Sequence, residues 1–131
     1  MKRRGFFSIE LAICIVVFLI LMAVFLPKSM EFLNQGKNSK AQSDLSALGV
    51  AVSQYAFEVG EYPKKLEDLK SKKGQYGPWL KEIKKDPWGN EYQYKFDKRE
   101  GFIVYSYGAD KTDSGSTFKT VSAGDIGYIG K

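Results

Sequence analysis

The apolar positions of this chain follow three rhythms. From Leu11 to Leu26 there is no charged or strongly polar side chain. As a helix, Phe6 to Leu26 would rise roughly 30 Å, about the hydrocarbon thickness of a bilayer. Pro27 then removes a helix N–H and is expected to kink the helix where the run ends. Lys28 and Glu31 mark an aqueous or interfacial setting beyond it. Ala41, Leu45, Leu48, Val52, Tyr55 and Val59 recur at steps of four and three, the stripe of an amphipathic helix, with Lys40, Ser43, Asp44, Ser46 and Gln54 on the other face. Gly60 and Pro63 end the pattern. The spacing predicts one helix over residues 6–59, apolar all round in its first half and one-faced in its second. The stripe of the second half would back a sheet.

After residue 60 the rhythm shortens. Pro63 to Leu69 reads as one helical turn that points Leu66 and Leu69 inward, and Ser71 to Pro78 as a loop. Trp79, Leu80 and Ile83 are expected to return to the core. Asp86-Pro87-Trp88-Gly89-Asn90 predicts a tight reversal, with Asn90 accepting backbone bonds and the Trp88 indole buried against a hydrogen-bond partner. Tyr92, Tyr94 and Phe96 alternate with Gln93 and Lys95, as in a half-buried strand. Asp97 to Gly101 then connects a hairpin to a return strand over Phe102 to Tyr107, and a third short strand is expected near Ile126 to Ile129. The fold class is α+β, a long helix packed on a small antiparallel sheet with a C-terminal loop. The head has only about 70 residues, near the lower limit for a self-supporting core, so the helix must supply part of it.

Composition narrows the chemistry. The chain has 131 residues, no histidine and a formal net charge of +5. Setting aside the N-terminal cations Lys2, Arg3 and Arg4 lowers that charge to +2, and the remaining lysines lie in pairs between acids, which argues against nucleic-acid binding. The single cysteine, Cys14, lies in the apolar run and reads as a small hydrophobe. Without histidine there is no His-based acid–base work or His metal ligation. No nucleophile motif, paired catalytic carboxylates or phosphate-cradling Gly loop stands in its place, so an enzyme is not expected.

The N-terminus carries the sharpest signal. Lys2-Arg3-Arg4-Gly5-Phe6-Phe7-Ser8-Ile9-Glu10 puts basic residues, a glycine, a phenylalanine and one acid ahead of the apolar run. An ionised carboxylate in hydrocarbon costs several kcal/mol, so an acid there marks a functional site. The basic residues follow the positive-inside rule and would hold the N-terminus in the cytoplasm. No small-residue cleavage site follows the run, which is also too long for a signal-peptide core. A plain signal anchor would leave both the Gly-Phe junction and Glu10 unexplained.

This string resembles the N-terminus of the type IV pilin and pseudopilin superfamily. The resemblance implies a pilin fold and cleavage by a prepilin peptidase between Gly5 and Phe6, with N-methylation of Phe6. It also implies that Glu10 is the assembly acid and Pro27 the helix proline. Residues 1–5 would be the cleaved leader, 6–27 the transmembrane and filament-core helix, 28–60 its amphipathic half and 61–131 a periplasmic head. Further blocks are similar, in order, to the major (G-type) pseudopilin of type II secretion systems: Glu61-Tyr62-Pro63, Trp79-Leu80, Asp86 to Tyr92, Tyr105 to Asp110 and Asp125-Ile126-Gly127. Together they cover nearly the whole chain.

The resemblance also implies a calcium loop after the second strand, with Asp110 and Asp125 as ligands, because calcium takes six to eight oxygens. Read by itself, Asp110 is a turn carboxylate. Gly124 stands where the family often has a further acid, Lys111 and Lys119 would repel a cation, and Asp113 is an alternative ligand. The function implied is a structural subunit of a periplasmic pseudopilus, anchored in the bacterial inner membrane. Its expected partners are copies of itself, the prepilin peptidase, the inner-membrane secretion platform and minor pseudopilins. Two alternatives remain: a type IV pilin of a surface fibre for adhesion, motility or DNA uptake, and a signal-anchored enzyme or binding module.

Overall fold

The computed structural model describes residues 8–26 and 28–131, with Lys2–Val59 forming one α-helix, α1. Gly5, Phe6 and Pro27, to which processing and a helix kink were assigned above, lie outside the described residues. The chain forms two compact units, Met1–Gln35 and Gly36–Lys131. In the first, the described residues belong to α1 alone and are all exposed, including Ile9, Phe18, Phe25 and Phe32.

The second unit packs the rest of α1 on a three-stranded antiparallel sheet. Its strands are β1 (Gln93–Asp97), β2 (Gly101–Ser106) and β3 (Ile126–Gly130), ordered β1-β2-β3. Tyr94 pairs with Val104 in one ladder and Val104 with Tyr128 in the other. The helical stripe does what its spacing predicts: Ala41, Leu45, Leu48, Val52 and Tyr55 are all buried. Each large apolar side chain removed from water contributes about 1.5–3 kcal/mol. As the middle strand, β2 is buried along its whole length. Phe102 and Val104 join the helix-side core. Ile103 and Tyr105 alternate to the other face, where the Lys95 ammonium lies 5.1 Å from the Tyr105 ring centroid. Gly49 lets α1 approach β3, since a Cβ there would run into the Tyr128 ring.

The connection from α1 to β1 is pinned at several points. A short 3-10 turn, Leu66–Lys70, buries Leu66 and Leu69, as their spacing predicts. Asp68 holds that turn by accepting from the backbone N–H groups of Lys64 and Lys65. The Leu69 carbonyl accepts from the N–H groups of both Trp79 and Leu80. Trp79 donates its indole N–H to Glu58 at 2.7 Å, and its ring lies 4.6 Å from that of Tyr55.

Two local expectations are corrected. Asp44 does not belong to the solvated face, because it is half-buried and accepts the Tyr92 hydroxyl at 3.0 Å. In the reversal at 86–90 the side-chain acceptor is Asp86 rather than Asn90, whose side-chain nitrogen is buried without a partner. Trp88 is only half-buried there, and the indole that finds a partner is that of Trp79.

Candidate functional site

Two regions carry the chemistry expected from the sequence. The first is the apolar segment. Ser8–Val59 contains an 18-residue window of mean hydropathy 3.1, none of it buried, so α1 is long and apolar enough to cross a membrane. Glu10 lies exposed directly before Leu11, where the uncharged run begins, and among the described residues it makes no salt bridge. The apolar side chains beyond it have no cover within the chain. Ile13, Val17, Ile20, Val24 and Leu26 each keep half or more of their surface exposed. A surface of this size needs lipid or protein against it.

The second region is the loop between β2 and β3. Gly108 adopts φ 73°, and its α-carbon meets the Gly124 carbonyl so closely that a side chain would not fit. That contact closes the loop on itself and places Asp110 beside the residue that precedes Asp125. A Cβ built on Gly124 would lie 2.9 Å from an Asp110 carboxylate oxygen and 3.2 Å from the Ser114 hydroxyl. Asp125 is buried. It accepts from the Ser116 hydroxyl at 2.6 Å and from the Ser114 N–H at 3.3 Å. The Ser116 oxygen in turn accepts from the Ser122 N–H at 3.0 Å. Asp113 is directed elsewhere, to the Gly115 N–H and the Tyr105 hydroxyl.

The structure thus sets the Asp110 carboxylate and the Ser114 hydroxyl against Gly124, while the Asp125 carboxylate is turned to Ser116 and to the Ser114 N–H. Among the described residues no three His, Cys, Asp or Glu side chains cluster as a metal site, so hydroxyl and carbonyl oxygens would have to complete any coordination sphere. Ser114 and Ser116 escaped the reading from sequence. Their signal was the Ser114-Gly115-Ser116 run ahead of Asp125, visible only once the loop is known to close.

Other titratable groups serve the fold. Burial, reinforced at Tyr92 by Asp44, pushes the phenols of Tyr92 and Tyr94 well above their ordinary range. The hydrogen bond from Lys73, and its charge, hold the Glu61 carboxyl below its usual value in an exposed pair at 3.0 Å.

A long helix with a naked apolar half, joined to a small helix-backed antiparallel sheet, defines the pilin-like class. The comparisons narrow it. The family model for type II secretion system (T2SS), protein G matches residues 28–123. A type II secretion system core protein G of Pseudomonas aeruginosa is 34% identical, over 88% of this chain and 92% of its own length. That of Vibrio cholerae is 31% identical, over 87% of this chain and 86% of its own, and that of Dickeya chrysanthemi 31%, over 83% and 79%. The chain belongs to the type II secretion system protein G family.

Proposed function

We infer that this protein is the structural subunit of the pseudopilus of a type II secretion system, polymerising through the N-terminal half of α1. Within the family assignment, one observation carries the mechanism. The whole apolar face of residues 9–26 is uncovered in the single chain, with one carboxylate, Glu10, at its head. Before assembly the bilayer covers that face; afterwards the apolar helix halves of other copies do. The chain is anchored in the inner membrane with its head in the periplasm, and a prepilin peptidase cuts between Gly5 and Phe6. Glu10 then pairs with the new amine of Phe6 on an adjacent copy. Pairing offsets the desolvation of both charges, and stranding one of them would cost about 3–5 kcal/mol. Because the contact joins unlike surfaces of successive copies, it does not close and produces a helical fibre.

Deleting the gene in the native host tests this reading. Loss of exoproteins from the culture supernatant, with surface fibres and motility intact, is the expected result. Intact secretion with lost fibres would make the protein a surface pilin.

The oxygen donors of the loop between β2 and β3 support calcium as its ligand. Asp110, Ser114 and Asp125 would hold the ion, which would supply a crosslink between the two ends of the loop. Calcium is then expected to raise the melting temperature of the full chain in detergent relative to chelator, and Asp110→Ala to abolish the difference. Equal melting temperatures for the parent chain would remove the ion from the loop.

A further inference from the structure

Four large apolar side chains of the second unit are exposed, Val50, Phe57, Tyr76 and Ile129, and the two most exposed lie on α1. Phe57 is 90% exposed and Val50 58%, on the face of α1 turned away from the buried stripe. They are seven residues apart, which is two helical turns, so they form adjacent knobs on one line of the helix. Such a line calls for a partner with holes at the same repeat.

The chain itself contains that partner. In the first unit, Phe25, Lys28, Ser29, Phe32 and Leu33 surround a shallow concavity of about 420 Å³. Phe25, Lys28, Ser29 and Phe32 stand at i, i+3, i+4 and i+7, the four-residue hole that receives a knob in helix packing. The Ser29 hydroxyl is already bonded to the Phe25 carbonyl at 3.0 Å, so filling the hole strands no donor. One heptad earlier, Phe18, Leu21, Met22 and Phe25 repeat the arrangement, all of them exposed. Charge does not set the match, since Glu58 and Glu61 beside Phe57 already hold Trp79 and Lys73.

We propose that Phe57 of one copy inserts into the hole formed by Phe25, Lys28, Ser29 and Phe32 of a second copy, with Val50 in the hole one heptad before it. The proposal rests on the filament reading and deepens it by naming the surface and the register. A Phe and a Val bury only a few hundred Å², far less than the ~1,200 Å² of a stable isolated contact. The knobs therefore need an occupant that is held in place by a larger contact nearby. A second copy in a fibre provides that, and a freely diffusing protein does not.

Cysteine crosslinking in fibres tests this. In a Cys14→Ala background, the pair Ser29→Cys and Phe57→Cys is expected to give a disulfide ladder of multimers on mild oxidation. The pair Ser29→Cys and Lys40→Cys is expected to give none. Phe57→Ser should lower fibre yield at least fivefold, leave the melting temperature of the detergent-solubilised chain unchanged and be rescued by Phe57→Leu. Normal fibres from Phe57→Ser, or fibres in which Ser29→Cys and Phe57→Cys stay unlinked, would overturn the interface and leave the filament intact. Failure of the parent chain to form fibres would overturn the filament reading and the interface with it.

Discussion

Asp86 shows how much of the head hangs on one carboxylate. It is 4% exposed and forms no salt bridge among the described residues. Instead it accepts from the backbone N–H groups of Trp88 and Asn90 and from the Ser106 hydroxyl at 2.7 Å. The first two bonds fix the reversal, and the third ties it to the end of β2. Hydrogen bonds to a charged group are worth about 1.5–3 kcal/mol each, and a truncation leaves their partners buried and unpaired. Asp86→Ala should therefore lower unfolding stability by ~2–4 kcal/mol in denaturant titration of the full chain, and Ser106→Ala by ~1–2 kcal/mol. The sequence showed the turn through Pro87 and Gly89. It could not show its anchor, since Ser106 is 20 residues away and reaches Asp86 only through the sheet.

At the scale of elements, the stripe on α1 was legible because a helix repeats its period over many turns. What the period could not reveal was the other side of each contact. Gly49 looks like a weak point in a helix, where Gly costs about 1 kcal/mol relative to Ala. Here it admits the Tyr128 ring, so Gly49→Ala should destabilise the head by ~1–3 kcal/mol instead of stabilising it. The melting temperature of the variant checks the sign. Asp44 was hidden in the same way: its position on the helix reads as polar surface, and only the arrival of β1 gives it the Tyr92 hydroxyl. That strand also carries an alkaline limit. Tyr94, half-buried with its hydroxyl on the Pro63 carbonyl, has its phenol raised, as does Tyr92 just before the strand. Below the ordinary tyrosine value of 10.0 both are neutral folded or unfolded, and no stability is lost. Above it the unfolded chain ionises first, so stability should fall as pH rises past about 10. Denaturant midpoints at successive pH values would show the decline, and Tyr94→Phe would make it shallower.

For the whole molecule, the family was legible in the blocks from Glu61 to Gly127. The roles expected of the Gly5-Phe6 junction and of Glu10 rest on local sequence alone and need no contact to be stated. The loop between β2 and β3 could not be read that way, because its closure depends on two glycines meeting and on a buried Ser116–Asp125 bond. If Glu10 neutralises an amine on the next copy, Glu10→Ala should be inserted and processed normally, yet yield few fibres when it is the sole copy. Immunoblots for processing and sheared-fibre yields measure the two steps separately. Normal fibre yield would take Glu10 out of the assembly step.

The complete burial of β2 has a consequence in time. Its residues lie between two strands, with α1 over one face and Ile103 and Tyr105 buried on the other. No smaller opening frees their amides, so the Phe102–Tyr105 backbone should exchange hydrogen for deuterium only when the whole head unfolds. The slowest amides of this strand would then report how often a subunit loses its fold, and a comparison of free and assembled chains would show how far the fibre lengthens that interval.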